Sequence, residues 1–183
     1  MLIAYLATVL AATLPGGSTL TVDPAASVLR YHVHHKLHTV LGESSDIEGK
    51  AVVQEDGSII CMIRVPVTSF RSGDANRDGH MLETLEVNKY PYVLWKGVVR
   101  LAPGRELPTG GVTMTGELQL HGVSRPASVP ISLELADDRT VRVRGSLDVG
   151  LDAHRIDRPS LLFVKIDDLC RIEFDLVLKL VTP

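Results

Sequence analysis

Polar and apolar residues alternate with a period of two along much of the chain, as in strands that bury one face. Over residues 112–121, Val112, Met114, Gly116, Leu118 and Leu120 take one face, and Thr113, Thr115, Glu117, Gln119 and His121 the other. Residues 125–136 repeat the pattern, with Ala127, Val129, Ile131, Leu133 and Leu135 against Ser128, Pro130, Ser132 and Glu134. Val141, Val143, Gly145, Leu147 and Val149 alternate with Arg142, Arg144, Ser146 and Asp148. Near the end, Cys170, Ile172, Phe174, Leu176, Leu178 and Leu180 oppose Arg171, Glu173, Asp175 and Lys179. Further strands are predicted over 19–23, 28–40, 47–54, 59–70 and 92–101, with hairpin turns at Asp56-Gly57 and at 136–139. One segment departs from the pattern. Over 78–87, Met81, Leu82 and Leu85 fall at helical spacing, Asp78 is placed to cap the start, and Pro91 disfavours helix at Tyr90.

This predicts an all-β chain of about eight or nine antiparallel strands with one short helical insertion. Each strand is apolar on one face only, so a single sheet closed around its own core fits best. An up-and-down barrel is the expectation, with a two-sheet sandwich as the alternative. No internal repeat, linker or charge run divides the chain. The inward faces are Val, Leu, Ile and Ala, which describe either a packed core or the lining of a cavity for an aliphatic ligand. Period-two alternation does not separate the two.

The first residues have a different character. No charge precedes Asp23, and 12 of the first 14 residues are apolar, Thr8 and Thr13 excepted. As a helix that stretch would span about 21 Å, short of the roughly 30 Å hydrocarbon core of a bilayer. Its length and the small residues Ala11 and Ala12 suit the apolar region of an export signal, although the basic flank is missing. A lipid-facing anchor and an N-terminal piece of the fold are the other readings. The expected organisation is a signal peptide over 1–17 and a barrel domain over 18–183. Cys61 and Cys170 both fall at inward positions, so two buried thiols are expected ahead of a disulfide.

Composition removes several function classes. The 183 residues carry 19 basic and 22 acidic side chains, a net charge of −3 that steers nothing toward nucleic acid. Three Phe, one Trp and four Tyr leave few platforms for stacking bases. Motifs for a nucleophile elbow, a phosphate loop or a zinc protease are absent from the sequence. Of seven His, four lie at 32, 34, 35 and 38. Strand parity puts His32, His34 and His38 on the face of Arg30 and Lys36, and His35 inward with Tyr31 and Val33, so the run does not converge on a metal. Arg77-Asp78 reads as a helix start beside an arginine that ties down a loop.

Several spaced fragments together resemble the YceI-like family of polyisoprenoid-binding proteins. They are Tyr31-x-Val33-x-His35 followed by Gly42, Arg77-Asp78-x-His80-x-Leu82, Tyr90-Pro91 leading to Trp95, and Gly116-x-Leu118-x-x-His121-Gly122-Val123-x-x-Pro126. The resemblance spans about residues 20–181. It implies a lipocalin-like antiparallel barrel, usually exported to the bacterial periplasm, with an apolar tunnel for a polyisoprenoid or quinone-type lipid and no established catalysis. By the same resemblance, Arg77, Asp78 and His80 open the helical insertion, Trp95 stands where the family usually has Phe, and His121, Gly122 and Pro126 form a strand-to-strand corner. The chain differs from many members over 151–162, where those carry an Arg-x-x-Phe-Gly-type segment. Inward parity then proposes a ligand-contacting set of Tyr31, Val33, His35, Trp95, Leu118, Leu120, Ile131, Leu133, Val143, Leu147, Phe174 and Leu176. No catalytic residue, metal or cofactor beyond the lipid is expected, and an exposed apolar seam between barrels would give a homodimer. A packed barrel acting through its surface in stress response and a His-dependent metalloprotein are the alternatives.

Overall fold

A computed structural model describes residues 14, 16–35, 38–101, 111–137, 139–161 and 164–181. Ten strands form one antiparallel sheet: β1 (Thr19–Val22), β2 (Val28–His35), β3 (His38–Ser44), β4 (Glu48–Val53), β5 (Ser58–Pro66), β6 (Tyr92–Arg100), β7 (Val112–Leu120), β8 (Val123–Asp137), β9 (Thr140–Gly150) and β12 (Leu169–Val181). A short ribbon, β10 (Ser160–Leu161) with β11 (Val164–Lys165), lies apart, and α1 (Ala75–Thr84) is the helical insertion.

The order β1-β4-β5-β6-β7-β8-β9-β12 closes into an eight-stranded barrel because β12 also pairs with β1. Leu20 sits at that seam, opposite Ala51 on one side and Leu180 on the other. Closure leaves the ring no free edge, which excludes the sandwich alternative. The long β12 serves both ends: residues 178–181 pair with β1, and residues 170–175 pair with β2, whose far edge carries β3. The β2–β3 hairpin therefore extends one end of the barrel beyond the closed ring.

Three local expectations need correction. The single strand expected over 28–40 is two strands, with His35 opposite His38. Lys36 and Leu37 carry none of the Gly, Pro or Asn chemistry that marks a turn, so the reversal left no sequence signal. The helix starts earlier than expected and is capped by Asp74, whose Oδ1 accepts the N–H groups of Asn76 at 2.9 Å and Arg77 at 3.0 Å. Asp78 is instead in the first turn. Its Oδ1 accepts from Ser72 N–H at 2.9 Å and from the Ser72 hydroxyl at 2.5 Å.

The expected corner between β7 and β8 is a two-residue hairpin. His121 and Gly122 carry φ values of 52° and 72°, the left-handed pair that a type I′ turn requires. A Cβ at Gly122 would collide with the Tyr90 ring, so glycine is held there by space as well as by backbone.

The main core runs through the barrel and includes Leu20, Val53, Val65, Trp95, Val129 and Leu176. Leu14 joins it at 4 % exposure, and the chain following it is tied to β4 by Gly17 N–H to the Val53 carbonyl and Val53 N–H to the Ser18 carbonyl. The remainder of the expected leader, 1–13 and 15, lies outside the described residues. A second, smaller cluster of Leu151, Ile156 and Cys170 closes the other end. Among the described residues no helix is long and apolar enough to cross a membrane.

Candidate functional site

Inward alternation from the closed ring places aliphatic side chains around a common space. The result is a cavity of about 70 Å³ lined by residues of β1, β4, β5, β6, β7, β8, β9 and β12 together with Leu14. Ala51 and Ile59 come from the β4–β5 hairpin, Val99 and Met114 from β6 and β7, and Val141 and Leu178 from β9 and β12. Among the described residues its wall consists only of aliphatic, sulfur-bearing and phenyl side chains. Among the described residues no charge or amide faces it, so they offer dispersion and hydrophobic contact to a guest but no fixed polar anchor.

Phe174 shapes the middle of this wall. Its ring occupies the space left by Gly145 on the neighbouring strand, where a Cβ would lie 2.6 Å from Phe174 Cζ and 2.9 Å from Ile131 Cγ2. Cys61 and Met114 meet nearby, with the Cys61 thiol donating to Met114 Sδ at 3.5 Å. Burial pushes the Cys61 thiol pKa up, opposed by the Trp95 and Gly97 N–H groups directed at its sulfur. The Trp95 indole falls short of hydrogen-bond geometry, so its buried N–H stands unpaired.

The twelve residues proposed from parity divide between two levels of the barrel. Ile131, Leu133, Val143, Phe174 and Leu176 line the cavity. Trp95, Leu118 and Leu147 belong to the surrounding core without reaching the cavity wall. Tyr31, Val33 and Leu120 pack at the opposite end, around Leu151, Ile156 and Cys170. His35 is buried at 3 % exposure. Tyr31 lies edge-on to Phe70 at 5.6 Å. Burial, reinforced by the nearby Asp78 carboxylate, pushes its hydroxyl pKa up to about 12, and burial does the same to the Cys170 thiol. Cys61 and Cys170 are both free thiols.

Motif residues hold the architecture at that opposite end. Arg77 Nε donates to Ser72 Oγ at 2.9 Å and Arg77 Nη2 to the Ser72 carbonyl at 2.8 Å, so Arg77 and Asp78 together clamp the loop before α1. His121 lies 2.9 Å from Glu86 Oε2 through Nε2 and 3.2 Å from the His154 carbonyl through Nδ1, joining the post-helix loop, the β7–β8 turn and the segment after β9. His80 is exposed on α1, 3.7 Å from Glu83. Pro126 is an exposed residue of β8 opposite Glu117.

The other histidines are dispersed. His32 lies 3.3 Å from Glu173, His34 is 2.6 Å from the Thr39 hydroxyl, and His154 Nδ1 donates to the Gly150 carbonyl at 2.9 Å. Among the described residues no group of three or more His, Cys, Asp or Glu is placed to hold a metal ion. The side chain of His38 lies outside the described residues.

The parity set omitted Leu14, Leu20, Ala51, Ile59, Cys61, Ile63, Val99, Met114, Val141 and Leu178. For Met114, Val141 and Leu178 the signal was present, since each falls on an inward face already recognised. For β5 it was hidden: Ile60 and Met62 are apolar too, yet each points outward at 52 % exposure. Leu14 falls within the segment that reads as a leader.

Comparison with known families matches the YceI-like domain over residues 20–178. Among solved structures, BcnA of Burkholderia cenocepacia superposes with a TM-score of 0.73 at 18 % identity, covering 85 % of this chain and 98 % of that one. A polyisoprenoid-binding domain from Saccharophagus degradans, implicated in plant cell wall breakdown, gives 0.73 at 18 % identity, with coverages of 88 % and 98 %. The Campylobacter jejuni YceI protein gives 0.62 at 12 % identity, with coverages of 82 % and 90 %. These structural likenesses establish the fold. No curated protein matches the chain.

Proposed function

Because the chain belongs to the YceI-like domain family, we propose that it is an exported lipid-binding protein that holds a polyisoprenoid or similar long aliphatic chain inside its barrel. The observation that carries this reading is the wall of the cavity, which among the described residues has no charged or amide side chain across all eight strands of the ring. Such a wall suits a flexible hydrocarbon and poorly serves a sugar or nucleotide, which needs several convergent polar groups. The Saccharophagus degradans relative is described as polyisoprenoid-binding, which agrees with this class of ligand. Each methylene transferred from water contributes about 0.8 kcal/mol before ordering costs are subtracted. A quinone-type lipid is within the same class. The role is binding rather than catalysis, and the site of action is the periplasm or the exterior after removal of the leader.

The volume sets a condition on this proposal. At about 70 Å³ the cavity is well below the roughly 300–1,000 Å³ of sites that enclose drug-sized ligands. A long chain therefore enters only if side chains move. Met114 with its three rotatable bonds and the Phe174 ring beside Gly145 are the groups that must yield. The same small volume favours a second reading, a packed barrel that acts through its surface.

Native mass spectrometry of gently purified protein, followed by lipid extraction, separates the two. A co-purifying isoprenoid or other long aliphatic lipid is expected. A ligand-free mass that persists after incubation with a polyprenyl alcohol supports the packed barrel instead.

A further inference from the structure

Cys61 on β5 and Met114 on β7 approach each other across β6, where Gly97 and Gly116 are paired and neither carries a side chain. Their sulfurs are 3.5 Å apart and both line the cavity. A thiol–thioether contact alone is ordinary packing. Trp95 makes this one different. Its indole nitrogen lies over Gly97, the cross-strand partner of Cys61, 2.6 Å from where a Cβ would stand, and the indole N–H meets no acceptor at full hydrogen-bond geometry although Trp95 is only 8 % exposed.

An unpaired buried donor costs about 1–3 kcal/mol. A neutral thiol is a weak acceptor and barely relieves that cost, whereas a thiolate is a strong one. A bare thiolate in this apolar wall is in turn costly, because among the described residues nothing of opposite charge lines it. A cation bound directly to the sulfur removes both penalties. It neutralises the thiolate and leaves a lone pair for the indole N–H.

We propose that Cys61 and Met114 form a binding site for a single soft monovalent cation, Cu(I), with Trp95 as the donor that orients the thiolate. The donor set is one thiolate and one thioether, which selects soft ions over the hard cations that prefer oxygen. Monovalence matters equally. Cu(I) displaces the thiol proton, which leaves to solvent, and the S–Cu bond replaces the S–H bond with no change in oxidation state. The net charge of the site stays at zero. A divalent ion at the same sulfurs would leave an uncompensated positive charge among aliphatic side chains. The unbranched Met114 side chain can turn its sulfur toward the ion without moving the strand.

The test is an anaerobic titration of the whole protein against Cu(I) held as its coloured bicinchoninate complex. Wild type is expected to withdraw one equivalent and to quench the fluorescence of Trp95, the sole tryptophan, with the same 1:1 end point. Cys61→Ser is expected to withdraw none. Cys170→Ser, altered at the other end of the barrel, is expected to behave as wild type. Met114→Leu keeps the side-chain volume and is expected to bind at least tenfold more weakly, so it tests the site even if Cys61→Ser fails to fold. No withdrawal by wild type, retention by Cys61→Ser, loss in Cys170→Ser, or wild-type affinity in Met114→Leu would each overturn the proposal. The titration contains no lipid, so its outcome is independent of the lipid-binding reading.

Discussion

Replacing Phe174 with alanine tests whether the interior is a site that a chain can enter or only a core. Phe174 is a half-buried ring in the cavity wall, packed over Gly145 and against Ile131. Phe→Ala at a fully buried position costs roughly 3–5 kcal/mol, and partial burial places this one at the lower end, about 3 kcal/mol. In a domain of this size each kcal/mol shifts Tm by about 2–4 °C, so the variant should melt about 6–12 °C below wild type. The vacated space joins the existing cavity, and the enlarged space stays apolar. A polyprenyl alcohol present at a hundred times its Kd would then stabilise the variant by about 2.7 kcal/mol, nearly restoring the wild-type Tm. The assay is differential scanning calorimetry with and without ligand, paired with uptake of an apolar fluorescent probe. A variant that loses stability but gains neither probe uptake nor rescue by ligand would refute the reasoning, because the wall would then collapse rather than open.

Other outcomes follow from particular contacts. Val143→Trp and Leu133→Trp fill the cavity from two strands, and each should abolish lipid uptake in an extraction assay while the far-ultraviolet circular dichroism stays that of a barrel. Asp175 accepts two bonds of 2.6 Å from Arg142, which holds its carboxyl below the ordinary value of 3.8. Its contribution is therefore complete above that value and lost as pH falls below it through the lowered folded value. Asp175→Asn should cost about 1 kcal/mol at neutral pH and flatten that acid limb in urea titrations. Gly122→Ala should destabilise by about 1–3 kcal/mol through left-handed backbone and collision with Tyr90, read as a lower urea midpoint with unchanged slope. Both thiols should resist Ellman's reagent in the native state and react together on unfolding, since burial raises the pKa of each.

The alternation in β7, β8, β9 and β12 is legible because the outward face of each strand is mostly polar against an apolar inward face. From those four strands the inward residues Ile131, Leu133, Val143, Phe174 and Leu176 could be named in advance. In β5 the outward Ile60 and Met62 are as apolar as the inward Ile59 and Ile63, so parity carries little contrast, and Cys61, although read as inward, is absent from the ligand-contacting set. Parity also reports which face a residue takes but not its height along the barrel. Tyr31, Val33 and Leu120 share the inward face but pack around Leu151, Ile156 and Cys170 and do not line the cavity. Pairing across distant chain segments was invisible for a similar reason. The division of β12 between β2 and β1 depends on register, and no local pattern encodes that. The helix cap fell to Asp74 rather than Asp78 because Ser72 takes the Asp78 carboxylate, a competition between two suitable acids four residues apart.

Methyl-labelled NMR of the protein titrated with a polyprenyl alcohol locates the ligand most directly, because apolar side chains mark both surfaces of the barrel wall. Binding inside the barrel predicts shift changes and ligand contacts at the methyl groups of Ile59, Ile131, Leu133 and Val143, with Ile60 and Met62 unmoved. Changes confined to Ile60 and Met62, with the inward methyls untouched, would contradict it.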